Sequence, residues 1–292
     1  MTRRTLGRLW PPGLAAVLLL SGAATWPVDL GAAKNGTVYV AVAGSDGQPV
    51  PGLVAANFAV RVAGHDQPVL SAEPASDPLS LILFVQVNPN DVALTRAAVR
   101  SVIDHVRRAS PQSRVGLADG PGTPEMLAVT AQAKQLETAV GALYTEPDLG
   151  PLVERLPDLT ALLAKEPTSR RIILSITPPG VTSGRRLTPD TPGTLRKAGC
   201  ELWGIEVGQV GGAILDRDPI FEDLITWSGG RRAAAYGAAL LDTVARQAAD
   251  LFLSQYLVTF TRADAKGQQS LQVGVRGLPN GAQVFAPGWT LN

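Results

Sequence analysis

Apolar positions follow three regimes along the chain. From 37 to 73 they alternate: Val38, Val40 and Val42, then Phe58, Val60 and Val62. Successive strand side chains point to opposite faces, so period two predicts half-buried β-structure. Ser45-Asp46-Gly47 and Gly64-His65-Asp66 separate the runs as turns. From 79 to 253 continuous apolar runs alternate with 3.6-residue stripes. Leu79–Val85, Arg171–Ile176 and Leu202–Val207 read as strands covered on both faces. Val115–Leu117 and Met126–Val129 read as shorter strands. Val99, Val102, Ile103 and Val106 form one helical stripe, and Leu136, Ala139, Val140 and Leu143 the next. Further helices are predicted over 149–163, where Pro157 bends or splits the run, near 192–200, and over 221–227 and 239–253. The last carries Leu240, Val244, Ala248 and Leu251 on one face, and Gly229-Gly230 ends its predecessor. From 254 to 291 Tyr256–Phe260, Leu271–Val275 and Val284–Leu291 return to strand.

This order predicts an α/β class: a doubly wound, mostly parallel sheet with helices on both faces. The terminal zones, 37–73 and 254–291, each offer about three short strands, too few to bury a stable core alone. Together they predict a small β-sandwich into which 79–253 is inserted. The competing arrangement adds these strands to the edges of the central sheet.

The first 33 residues read as an address. Arg3, Arg4 and Arg8 precede the apolar run Leu14–Leu20, and Ser21-Gly22-Ala23-Ala24 follows. That is the pattern of a signal peptide or signal anchor. The run is too short for a comfortable membrane span. Export to the periplasm or outside the cell is expected, with membrane contact only through this segment if it stays uncleaved.

Lys and Arg number 26 against 25 Asp and Glu, a net charge of +1, which leaves no electrostatic footprint for nucleic acid. One Cys and two His exclude a disulfide framework and a His/Cys metal cluster. Cys200 reads as a small buried hydrophobe. His65 falls in a turn and His105 on the polar side of the first helix, so both read as surface residues. No Gly-x-Ser-x-Gly elbow is present. Arg170-Arg171 and Ser183-Gly184-Arg185-Arg186 read as solvated charge near the top of the sheet.

Several strings, in order, resemble the von Willebrand factor A-related domain family of exported bacterial proteins. They are Asp46-Gly47-Gln48-Pro49-Val50-Pro51-Gly52-Leu53 with Asn57-Phe58-Ala59-Val60, the strand Leu79–Val87, Thr226-Trp227-Ser228-Gly229-Gly230-Arg231, and Ser254-Gln255-Tyr256-Leu257. The resemblance implies an A-like domain over 79–253 that binds a protein partner through a metal-ion-dependent adhesion site, Asp-x-Ser-x-Ser with a later Thr and Asp. On those positions this chain places Gln86, Asn88, Asn90, Thr145 and Pro178. No carboxylate survives among them, and neutral amides do not offset the dehydration of Mg²⁺. The adhesion site is therefore read as degenerate, with no metal and no cofactor. Asp91 stands outside the motif. Asn88-Pro89-Asn90-Asp91 also reads as a helix cap, with Pro at the first helical position and an acid in the first turn.

The function expected is a non-enzymatic protein-interaction module. Its candidate crown is Gln86, Asn88, Asn90, Thr145, Thr177, Arg185 and Arg186, at the C-terminal edge of the sheet. The alternatives are a small-molecule-binding or hydrolytic doubly wound α/β protein, and a purely structural envelope component.

Overall fold

A computed structural model describes residues 34–87, 89–119, 122–143, 152–178, 191–208, 219–262 and 269–289; the expected signal segment, 1–33, lies outside them. The chain enters through β1 (Lys34–Ala43), β2 (Phe58–Val62), β3 (His65–Gln67) and β4 (Val69–Pro74). There follow β5 (Leu79–Val85), α1 (Val92–Ala109), β6 (Arg114–Ala118), β7 (Leu127–Ala128), α2 (Ala133–Ala142) and α3 (Leu152–Ala164). Next come β8 (Arg170–Thr177), α4 (Thr191–Ala198), β9 (Cys200–Gly208), α5 (Pro219–Ser228), β10 (Arg232–Tyr236) and α6 (Ala238–Leu253). The chain closes with β11 (Tyr256–Arg262), β12 (Leu271–Val275) and β13 (Gln283–Phe285).

Six strands form one sheet in the order β10-β9-β8-β5-β6-β7, parallel throughout except for the β6–β7 pair. All seven residues of β5 are buried, because helices cover both faces. Leu81, Leu83 and Val85 pack with α1, α2 and α6, while Ile82 and Phe84 pack with α3, α4 and α5. The molecule is thus of the α/β class.

The remaining strands form two antiparallel sheets, ordered β13-β1-β11-β4 and β12-β2-β3. β1 runs against β11 from Lys34↔Arg262 to Val40↔Tyr256, then against β13 from Ala41↔Phe285. Neither β1 nor β2 ladders onto the six-stranded sheet. Val38, Val40, Val42, Val258 and Phe260 share one apolar cluster with Phe58, Val60, Val62 and Leu271. The opposite face of β1 carries Ala41 and Ala43 into the α/β core. Small residues there let α6 approach the strand closely.

Several local expectations are corrected. α1 begins at Val92 with Asp91 as its N-cap, not at Asn88-Pro89, and the Asp91 side chain makes no capping bond. α3 is one helix through Pro157, so the run is not split there. α6 buries Leu241, Ala245, Ala248, Ala249, Leu251 and Phe252, while Leu240 is 55% exposed. The final strand is only Gln283–Phe285. β10 carries no strand-like sequence, yet it pairs with β9 from Arg232↔Gly204 to Tyr236↔Gly208. The approach depends on glycine. A Cβ on Gly230 would lie 1.9 Å from the Leu202 carbonyl oxygen. Gly229 has φ +86°, and a Cβ there would meet the Pro287 nitrogen at 2.4 Å.

Arg170 is not solvated charge near the top of the sheet. It opens β8 at the end opposite its C-terminal edge and is 3% exposed. Its guanidinium donates to the carbonyls of Asp77 (2.8 Å), Phe252 (2.6 Å) and Leu253 (3.2 Å). The chain enters the six-stranded sheet at Asp77 and leaves α6 at Leu253, so one side chain holds both crossings. Tyr39 of β1 joins the network through Asp77 Oδ2 (2.8 Å) and Ser169 Oγ (2.6 Å). Beside it the buried Glu201 carboxylate accepts from Trp203 Nε1 (2.9 Å) and Gln255 Nε2 (2.7 Å). Burial pushes the Glu201 carboxyl up to about 7, against the opposing pull of these donors and of Arg170.

Two outcomes are expected. Arg170→Met should lower unfolding stability by about 3–5 kcal/mol in urea titrations, because the carbonyls of Asp77, Phe252 and Leu253, and that of Ala75 at 3.4 Å, lose a buried donor. Glu201 binds a proton more tightly folded than unfolded, so stability should fall as pH rises from 4.5 to about 7. Over that window the loss is of order 3 kcal/mol. Glu201→Gln should flatten it in pH-dependent thermal melts.

Candidate functional site

In an open α/β sheet, ligands sit beyond the carboxyl ends of the strands where connections leave in opposite directions. Here that point lies between β5, which leads through α1 to β6, and β8 on its other side. The two strand ends are locked together: the Gln86 N–H donates to the Ile176 carbonyl at 3.0 Å. Gln86 is therefore seated beside Thr177, the last residue of β8, which is buried at 9% exposure. Pro178 follows, half-buried.

Asn90 is exposed in the turn before α1, and Asp91 is 6% exposed. The Asp91 carbonyl accepts the Thr95 N–H at 2.9 Å, which starts the helix. Its carboxylate oxygen Oδ1 is buried with no hydrogen-bond partner among the described residues. Of the expected crown, the structure brings together Gln86 and Thr177 and places Asn90 on the α1 side. Asn88, Thr145, Arg185 and Arg186 lie outside the described residues. Among the described residues no group of three His, Cys, Asp or Glu side chains is placed to hold a metal ion.

The other candidate groups have structural partners. His105 is not a free surface residue: its Nε2 shares a hydrogen bond with Asp250 Oδ1, tying α1 to α6. His65 is exposed on β3. Cys200 is fully buried at the start of β9, and burial pushes its thiol up to about 12, far from a reactive thiolate.

A second polar constellation was not anticipated. Arg232 of β10 is paired with both Glu206 of β9 and Glu222 of α5. The Tyr236 hydroxyl also reaches Glu206, at 3.4 Å. These residues line a cleft of about 870 Å³ that extends to β13. A charged Glu206 inside the apolar run Leu202–Val207, followed later by Arg231-Arg232, is the signal that could have found it.

The sequence matches no protein-family profile and no curated protein. Among solved structures the chain is similar to the von Willebrand factor type A protein from Catenulispora acidiphila. That match has 11% identity and a TM-score of 0.47, and covers 89% of this chain and 74% of that one. It is also similar to the manganese-loaded TRAP protein of Plasmodium vivax, at 14% identity and a TM-score of 0.43, covering 74% and 95%. BatB from Bacteroides thetaiotaomicron matches at 11% identity and a TM-score of 0.35, covering 58% and 96%.

Removing Arg232 should leave two carboxylates facing each other in the partly buried cleft. Arg232→Met should therefore destabilise the protein by about 3 kcal/mol. Glu222→Gln should cost no more than about 1 kcal/mol, because Glu222 is the more exposed partner. Urea unfolding of both variants checks the order.

Proposed function

We propose that this chain is an exported, non-enzymatic protein-interaction module whose von Willebrand A-like domain, 79–253, binds through its crown without a metal ion. The observation that carries the reading is the pairing of the β5 and β8 ends at the point where the connections diverge. It brings Gln86 and Thr177 together, with half-buried Pro178 next in the chain.

The resemblance implies a Mg²⁺ bridge to a partner carboxylate at this place. The donors here do not fit one. Mg²⁺ dehydrates reluctantly and needs near-octahedral oxygen ligation with anionic help. Gln86 and Thr177 are neutral, Pro178 has no side-chain oxygen, and Asp91 supplies a single carboxylate from outside the motif. Direct hydrogen bonding by amide and hydroxyl groups takes the place of the bridge. The crown then recognises a polar protein surface, and its affinity is independent of divalent cations.

In this reading the strands of 37–73 and 254–291 form one β-sandwich-like domain that carries the A-like domain as an insertion. The apolar cluster shared by their two sheets supports it. Export is supported by Arg3, Arg4 and Arg8 ahead of Leu14–Leu20. No helix among the described residues is long and apolar enough to cross a membrane.

A photo-crosslinking residue at Asn90 tests the reading in cells of the source organism. It should capture one polypeptide species outside the cytoplasm, equally with and without chelator. The same probe at Leu70, exposed on β4, should not. Capture only in the presence of Mg²⁺, or a one-to-one Mg²⁺ site in calorimetry, would overturn the metal-free crown. Equal capture from both positions, or from a cytoplasmic pool, would overturn the module itself.

A further inference from the structure

The cleft of about 870 Å³ wraps round the outer edge of the six-stranded sheet. On one face of the sheet it is walled by Glu206 and Glu222, on the other by Phe285 of β13. Between these walls runs β10, paired on one side only among the described residues. The backbone of Arg231 accepts from Gly204, and Gly237 donates to Gly208, both toward β9. Strand periodicity therefore turns the N–H and C=O groups of Arg232 and Ala234 away from β9, into the cleft. Ala234 is exposed and its methyl group leaves that backbone open to approach.

The charges in the cleft are unequal in their commitments. Both carboxylates, Glu206 and Glu222, are held by Arg232. Arg231 is half-buried and stacks over the Phe285 ring at 5.8 Å. Among the described residues its guanidinium has no hydrogen bond and no ion pair. Burial alone lowers its pKa, with no carboxylate contributing in the other direction. A Cβ built on Gly47 would lie 3.5 Å from its Nη1, and in that turn Asp46 Oδ1 accepts the Gln48 N–H at 3.0 Å. A half-buried guanidinium without a carboxylate partner is complementary to an incoming carboxylate.

We infer that this edge is a second docking site, which takes an extended acidic segment of a partner protein as an added strand on Arg232 and Ala234, with its carboxylate on Arg231. Backbone hydrogen bonds to β10 supply the affinity, and Arg231 supplies the choice of an acidic side chain. The site uses none of the crown residues.

The test uses the full chain, ¹⁵N-labelled, and two end-blocked peptides, Thr-Val-Glu-Val-Thr and its Gln counterpart. The amides of Arg232 and Ala234 should exchange rapidly with solvent in the protein alone. The Glu peptide should shift and protect both, and the Gln peptide should bind about tenfold more weakly. Arg231→Gln should erase that tenfold preference while leaving the melting temperature unchanged. Ala234→Pro, which removes the open donor, should abolish binding of both peptides. If that variant does not fold, the protection data stand in its place. Equal binding of the two peptides, or shifts confined to other strand edges, would overturn the proposal. So would amides already protected in the protein alone, since another part of the chain then covers the edge. Protection that appears only with rising protein concentration would assign the edge to a second copy and equally overturn it.

Discussion

Everything else in the molecule hangs on one buried guanidinium. Arg170 gathers carbonyl oxygens from the segment that leads into the six-stranded sheet and from the end of the helix that leads out of it. The Phe252 and Leu253 carbonyls end α6 and the Asp77 carbonyl lies in the connection between β4 and β5, so each needs a donor once buried. A planar fork of N–H groups reaches several of them at once, where an ammonium would need to rotate between them. The arrangement carries a penalty. The charge is almost fully withdrawn from water, and its surroundings are dipoles, with Glu201, Asp77 and Tyr39 as the ionisable groups that offset its burial.

From that junction the layers follow. β1 cannot be a surface strand, because it has a core on each side: valines toward β2 and β12, alanines toward α6. This explains an oddity of its composition. From Val40 to Ala43 alternation separates large from small side chains, not apolar from polar, and every residue from Val38 to Ala43 is buried. A half-buried strand and a doubly buried one differ here only in whether the second face is small and apolar, which periodicity alone does not distinguish.

How much of the architecture was legible depends on where the physical cause lies. β5, β8 and β9 are readable because covering both faces of a parallel strand demands an unbroken apolar run, and Leu79–Val85 supplies it. β10 was invisible. Arg232-Ala-Ala-Ala-Tyr236 has no β-branched residue, and its pairing comes from the close approach that Gly230 permits against Leu202. On α6 only Leu240 was misread: Ala248 and Leu251 of the expected face are buried and Val244 packs against the core, while Leu241, Ala245, Ala249 and Phe252 complete the stripe. Gln86 and Thr177 lie at adjacent strand ends, and strand ends are local features that a sequence displays. The cleft beside β10 depends on residues from 206 to 286 that meet only through the fold, so no local pattern announces it.

The ladder between β1 and β11 has a consequence for how the molecule is made. The first strand emerges from the ribosome roughly 200 residues before its partner. At the usual 5–20 residues per second that is an interval of about 10–40 s. During it Val38, Val40 and Val42 have β2 to shield one side and nothing to pair with. Long-range pairing of this kind is slow, and an unpaired valine edge is a template for the wrong neighbour. The chain must therefore be kept from settling until its last strands arrive. A polypeptide carried in an unfolded state until synthesis is complete meets that demand without any further device.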